Sequence, residues 1–153
     1  MKETLKAYID LTRLHFGFAW PLLICSGLLL AFTNYGGFST WLTVKVALIG
    51  FFGFDGGMIL NDYVDRDLDK LEVESDLTTY WRPFNTRPLI TGDILPKNAF
   101  TLFLLFVGGS FLLILTLPYP NFLYILSIMA YGYAMEYFYQ VKKRSQTYPI
   151  AQL

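Results

Sequence analysis

Four residues carry the most chemistry in their spacing: Asn61, Asp62, Asp65 and Asp69, in the run NDYVDRDLD. Successive residues of an α-helix turn by about 100°, so with Asn61 at zero, Asp65 lies at about 40°, Asp69 at about 80° and Asp62 at about 100°. Three carboxylates and one amide then share about a quarter of the helix circumference. Carboxylates that close repel one another unless a cation sits between them. Oxygen-only donors suit a hard cation, and Mg²⁺ takes carboxylates together with phosphate oxygens and water. The spacing therefore predicts a helical Mg²⁺ site for a polyphosphate. Asp67 projects at about 240° on the same scale and is expected to be solvated.

The elements that must position this run are apolar. The chain has 153 residues, 54% of them hydrophobic and 18% aromatic, with a mean hydropathy of +0.42. That excludes a disordered chain. The balanced formal charge argues against a nucleic-acid partner. One cysteine, Cys25, excludes an internal disulfide framework and a Cys-rich metal site; inside an apolar run it reads as a small buried hydrophobe. Glu3 and Asp10 interrupt the first residues, which do not read as a cleaved leader.

Apolar segments fall at residues 16–33, 41–60, 99–117 and 122–140. Each approaches the roughly 20 residues that a helix needs to cross a bilayer core. Pro21 is expected to kink the first. Before it, Leu5, Tyr8, Ile9 and Leu11 form a face for the membrane surface, with Lys2, Lys6 and Arg13 toward water. Asn34-Tyr35-Gly36-Gly37 and Pro118-Tyr119-Pro120-Asn121 read as turns. The polar stretch 61–98 is too long for a hairpin loop. The expectation is a single domain over 1–153, an all-α integral membrane bundle of four transmembrane helices. Eleven of the twelve basic residues lie on one side, Lys45 being the exception. The positive-inside rule makes that side cytoplasmic, with both termini and the acidic run, and in a prokaryote the membrane is the plasma membrane.

The acidic run at the cytoplasmic end of the second apolar segment resembles the first signature of the UbiA superfamily of intramembrane prenyltransferases. The run Arg87-Pro88-Leu89-Ile90-Thr91-Gly92-Asp93-Ile94 resembles that family's RP-x-x-x-G segment. Arg13-Leu14-His15 resembles its start, and Tyr139 with Lys142 or Lys143 its Tyr-x-x-x-Lys-type segment. The resemblance implies Mg²⁺-dependent transfer of a prenyl group from a prenyl diphosphate to an acceptor, often aromatic, within the lipid bilayer. Carried over by position, Asp62, Asp65 and Asp69 are the catalytic residues, and with Asn61 they are the metal residues. Asn61, Arg87, Tyr139, Lys142 and Lys143 face the diphosphate, the basic groups as charge-assisted donors.

The departures are as informative. Members of the family have roughly twice this length and a second acidic motif, and no Asp cluster follows Asp93. The sequence thus resembles the N-terminal half of such an enzyme, inactive alone unless a C-terminal half or self-association completes it. Residues 71–85 are an insertion before the RP element. A competing reading is a non-catalytic or transporter-like membrane subunit with a cation site, which the intramembrane Asp55 would suit. Gly50, Gly53, Gly56 and Gly57 are expected to serve helix packing. Tyr131, Tyr133, Tyr137 and Tyr139 are expected to form an interfacial belt, and Arg82 and Arg87 read equally well as facing anionic lipid.

Overall fold

The structure, a computed structural model, describes residues 2–70 and 82–142. Among these residues every regular element is helical. Helix α1 is Lys2–Thr12, followed by a 3₁₀ turn at Leu14–Phe16; α2 is Ala19–Tyr35 and α3 is Thr40–Asp69. Beyond the polar stretch, α4 is the single turn Pro88–Thr91, α5 is Pro96–Leu115 and α6 is Asn121–Lys142. Leu71 to Trp81, most of the insertion, lie outside the described residues, as do Lys143 and Arg144.

Helix α3 is the organising element, in contact with α1, α2, α4, α5 and α6. It has 30 residues, or about 45 Å at 1.5 Å per residue. That exceeds the roughly 30 Å of a hydrocarbon core, so the helix carries its acidic end past the membrane boundary without a break. Among the described residues three helices are long and apolar enough to cross a membrane: Leu14–Tyr35, Thr40–Asp67 and Pro96–Leu115. Outward-facing leucines such as Leu22, Leu30, Leu105 and Leu112 are more than 60% exposed, the pattern of a bundle whose solvent is lipid.

The expected fourth span is weaker than its length suggests. Helix α6 has 22 residues but is not among the helices apolar enough to span. Three tyrosines, Glu136 and Gln140 in its second half lower its hydropathy. Pro21 also differs from expectation. It sits in the first turn of α2, which starts at Ala19, where a missing N–H costs nothing.

The N-terminal helix departs most. Ala7 and Leu11 are buried in the same core as Ile59, Leu89, Ile94 and Ala99. One face of α1 therefore docks on protein. Burying Leu11 alone contributes about 1.5–3 kcal/mol. Leu5 remains on the outer surface.

The glycines of α3 set close helix contacts. A Cβ on Gly50 would lie 2.9 Å from Ile24 Cδ1 and 3.5 Å from the Pro21 backbone. One on Gly53 would lie 3.3 Å from Ser110 Oγ, which donates to the Ile49 carbonyl at 3.3 Å. Tyr133, alone of the expected tyrosine belt, turns inward and donates from its hydroxyl to the Gly53 carbonyl at 2.5 Å. A Cβ at Gly56 would meet that hydroxyl at 2.9 Å. Gly56→Ala should therefore destabilise the α3–α6 contact by about 1–2 kcal/mol through a displaced hydroxyl and a lost hydrogen bond. Because Tyr133→Phe removes the obstructing atom, the double variant should lose less than the two single losses added together. Unfolding in mixed micelles reads the difference, and strict additivity would refute the contact.

Candidate functional site: the charged end of the third helix

The acidic run is helical throughout, as its spacing predicts. Two turns of α3 beyond the apolar segment bring Asn61, Asp65 and Asp69 up one side at intervals of four. Asp65 is 3% exposed and the Asp69 side chain 21%. The Asn61 Oδ1 is buried and meets no hydrogen-bond donor among the described residues. Asp67 is solvated as expected, paired with Lys70 at 3.1 Å and Arg66 at 3.6 Å.

Asp62, at the edge of the wedge, is held differently. Its Oδ1 accepts from Arg13 Nη2 at 2.8 Å and its Oδ2 from Arg82 Nη2 at 2.9 Å. Arg13 reaches it from a left-handed backbone, φ 49 and ψ 40, a conformation that a non-glycine residue adopts at a cost of about 1 kcal/mol or more. The same guanidinium approaches the Met58 carbonyl at 3.5 Å. Arg13 thus turns from the water assigned to it toward α3. Arg82 is 7% exposed and faces Asp62, not lipid. Both oxygens of Asp62 thus accept from arginine.

The RPLITGDI run forms the opposite wall. Pro88 opens α4, where its fixed φ suits the first helical position. Gly92 closes it with φ 84, a left-handed conformation natural to glycine. The Ile94 amide then returns to the Pro88 carbonyl at 3.1 Å. This compact turn leaves Arg87 at its entrance, with Nη1 4.0 Å from Asp69 Oδ2. Arg66 lies over the Tyr63 ring at 4.6 Å and donates to the Tyr63 carbonyl at 2.6 Å. Asp62, Asp69, Arg66, Arg82 and Arg87 line one shallow depression with Pro88, Leu89 and Ile90.

Of the residues singled out from sequence, Asp62, Asp69 and Arg87 thus meet at one depression, with Asn61 and Asp65 on the adjoining face of α3. Tyr139 and Lys142 are exposed on the last turns of α6 and do not line it; Lys143 lies outside the described residues. Among the described residues no three His, Cys, Asp or Glu side chains converge to hold a metal unaided. Mg²⁺ commonly takes only one or two carboxylates and completes its shell with phosphate and water. The carboxylates of the run and the orphaned Asn61 oxygen are donors of that kind, and the Asp62 oxygens also accept from arginine.

Asp10 was not anticipated. It is fully buried and accepts from the Phe84 amide at 3.1 Å, the Thr86 amide at 2.7 Å and the Thr86 hydroxyl at 2.8 Å. One signal lay in the sequence: Ala7, Asp10 and Leu11 share a helical stripe, and a carboxylate on an apolar stripe needs donors. Asp55 is also buried, and its Oδ2 meets no donor among the described residues.

A bundle of outward-apolar helices with an arginine-and-carboxylate depression at the end of its central helix is a membrane protein with a charged site at one end. The chain belongs to the UbiA prenyltransferase family, whose model matches residues 18–152. It is 29% identical over 144 residues to 4-hydroxybenzoate octaprenyltransferase of Histophilus somni (strain 2336), covering 94% of this chain and 46% of that protein. A protein of the same name from Pseudoalteromonas atlantica (strain T6c / ATCC BAA-1087) is 32% identical over 95 residues, 61% of this chain and 30% of its own length. One from Dechloromonas aromatica (strain RCB) is 29% identical over 129 residues, 77% and 40% respectively. The chain spans less than half the length of these curated relatives. No solved structure matches it significantly.

Proposed function

We propose that this chain carries the diphosphate-binding part of an intramembrane prenyltransferase, which moves a prenyl group from a prenyl diphosphate to an aromatic acceptor of the 4-hydroxybenzoate kind. The observation that supports this most is the depression between α3 and α4, where Arg66, Arg82 and Arg87 stand beside Asp69 at the end of a membrane helix. Arginine forks match phosphate oxygens in pairs. A diphosphate held there leaves its prenyl tail beside the apolar wall of the bundle.

Asn61, Asp65 and Asp69 are the proposed donors for Mg²⁺, which when bound would offset the diphosphate charge and stabilise it as a leaving group. Arg87 orients the diphosphate from the α4 side. Asp62 fixes Arg13 and Arg82 and so shapes the floor. Breaking the allylic C–O bond releases diphosphate and leaves positive charge on the prenyl carbon. The lipid-facing helices keep water from it until the ring attacks, forms the C–C bond and gives up its ring proton to the released diphosphate. The basic residues around the depression support a cytoplasmic position for it.

The test is a titration of the full chain in nanodiscs with geranyl diphosphate, with and without Mg²⁺, followed by product analysis with 4-hydroxybenzoate. Saturable Mg²⁺-dependent binding is the expected result, and no binding in either condition would sink the proposal. Arg87→Ala should weaken binding about tenfold or more, the loss of one charge-assisted contact of about 1.5–3 kcal/mol. Arg87→Lys should recover only part, because an ammonium lacks the fork. Wild-type affinity in Arg87→Ala would remove that residue from the site.

A further inference from the structure

We infer that Asp10 is a positioning residue for the diphosphate site: its buried carboxylate folds segment 82–87 so that Arg82 and Arg87 are presented to the acidic end of α3. The inference rests on the function proposed above. Asp10 is 0% exposed. Its Oδ1 accepts from the Phe84 amide, and its Oδ2 from both the amide and the hydroxyl of Thr86. Its backbone carbonyl also faces Arg82 Nη1 at 3.5 Å.

Two amides separated by one residue and directed at one carboxylate bend the chain between them. Asn85, at the bend, has φ 52, a left-handed conformation that asparagine tolerates better than most residues. The Asn85 amide closes the turn on the Arg82 carbonyl at 2.8 Å. Arg82 enters this turn and Arg87 leaves it, so the two cations inherit their positions from the anchor. Arg82 is then fixed on Asp62 and Arg87 stands beside Asp69.

Packing alone does not call for an aspartate here. Ala7 and Leu11 already seat α1 in the core, and a buried carboxylate is costly unless donors satisfy it. Two of its three donors are backbone amides, which no side-chain change in the strap removes. Hydrogen bonds to an ionised group are stronger than neutral ones. Helix α1 thereby becomes part of the site's scaffold.

Asp10→Asn and Thr86→Val test this in the full chain in nanodiscs. Asparagine keeps one acceptor oxygen and turns an NH₂ toward existing donors. Amide exchange at Phe84 and Thr86 should quicken about tenfold in Asp10→Asn, while amides around Ile59 stay as protected as before. The Kd for geranyl diphosphate with Mg²⁺ should rise about tenfold or more, since each tenfold is only about 1.4 kcal/mol. The Kd for 4-hydroxybenzoate should not move, which separates positioning from general loosening. Thr86→Val keeps both amides and should weaken diphosphate binding about threefold, on the scale of one hydrogen bond; it decides the matter if Asp10→Asn fails to fold. Wild-type exchange and affinity in these variants would overturn the inference. If the unaltered chain binds no geranyl diphosphate, the proposed function fails, and unchanged exchange in the variants would overturn the anchoring separately.

Discussion

Replacing Asp65 or Asp69 with alanine is expected to abolish Mg²⁺-dependent binding of prenyl diphosphate, a loss of at least about a hundredfold in affinity, or about 2.8 kcal/mol. The two lie one turn apart on α3, four residues from each other. With the Asn61 oxygen they offer oxygen donors along one side of the helix. A cation held by two carboxylates cannot replace one of them from water without losing most of its affinity. Asp65 is nearly buried, so Asp65→Asn is a useful companion, keeping the volume while removing the charge. Titration with geranyl diphosphate at varied Mg²⁺ reads the effect. Binding that survives in either alanine variant, with its Mg²⁺ dependence intact, would remove that residue from the metal site.

The second large effect concerns the fold. Asp62→Ala should destabilise the protein by about 3–5 kcal/mol, the cost of stranding buried charge. It leaves Arg13 and Arg82, whose side chains are 12% and 8% exposed, without their shared carboxylate. Asp62→Asn should fall between the two, since the amide oxygen still accepts from one guanidinium. Adding Arg13→Met to Asp62→Ala should recover part of the loss by withdrawing one stranded cation. Reversible unfolding in mixed micelles measures all three. A change below about 1 kcal/mol with a collapse of Mg²⁺ binding would reverse the assignment and make Asp62 a ligand.

Much of this arrangement was legible in the sequence because it is periodic. The apolar segments fixed the membrane class, and the spacing of Asn61, Asp65 and Asp69 placed them on one side of a helix. Pro88 and Gly92 marked the ends of a turn that the structure contains. What stayed hidden is what stands opposite a helix face. Periodicity assigns Asp62 an angle but says nothing of Arg13, 49 positions away, or Arg82, 20 away. Lipid was as good a partner for Arg82 as any, because a lone arginine in a polar stretch has no local partner. The amphipathic N-terminus suggested a membrane surface, yet Leu11 faces protein, and hydrophobicity alone cannot distinguish those two apolar surroundings. The tyrosines of α6 likewise shared one label until Tyr133 was found on the Gly53 carbonyl.

The pairing of Asp62 with two arginines also changes how the depression looks from a distance. In sequence the acidic run is a concentration of negative charge. In space the side chains lining the depression include three arginines against two aspartates. Its rim is therefore mildly attractive to anions before any divalent ion arrives. Capture of a multiply charged anion by such a surface is steered by long-range attraction. That attraction reaches about 10 Å at 0.1 M salt and only about 3 Å at 1 M. Ionic strength should thus act on the rate of arrival, while the residence of the captured anion is governed by the close contacts within.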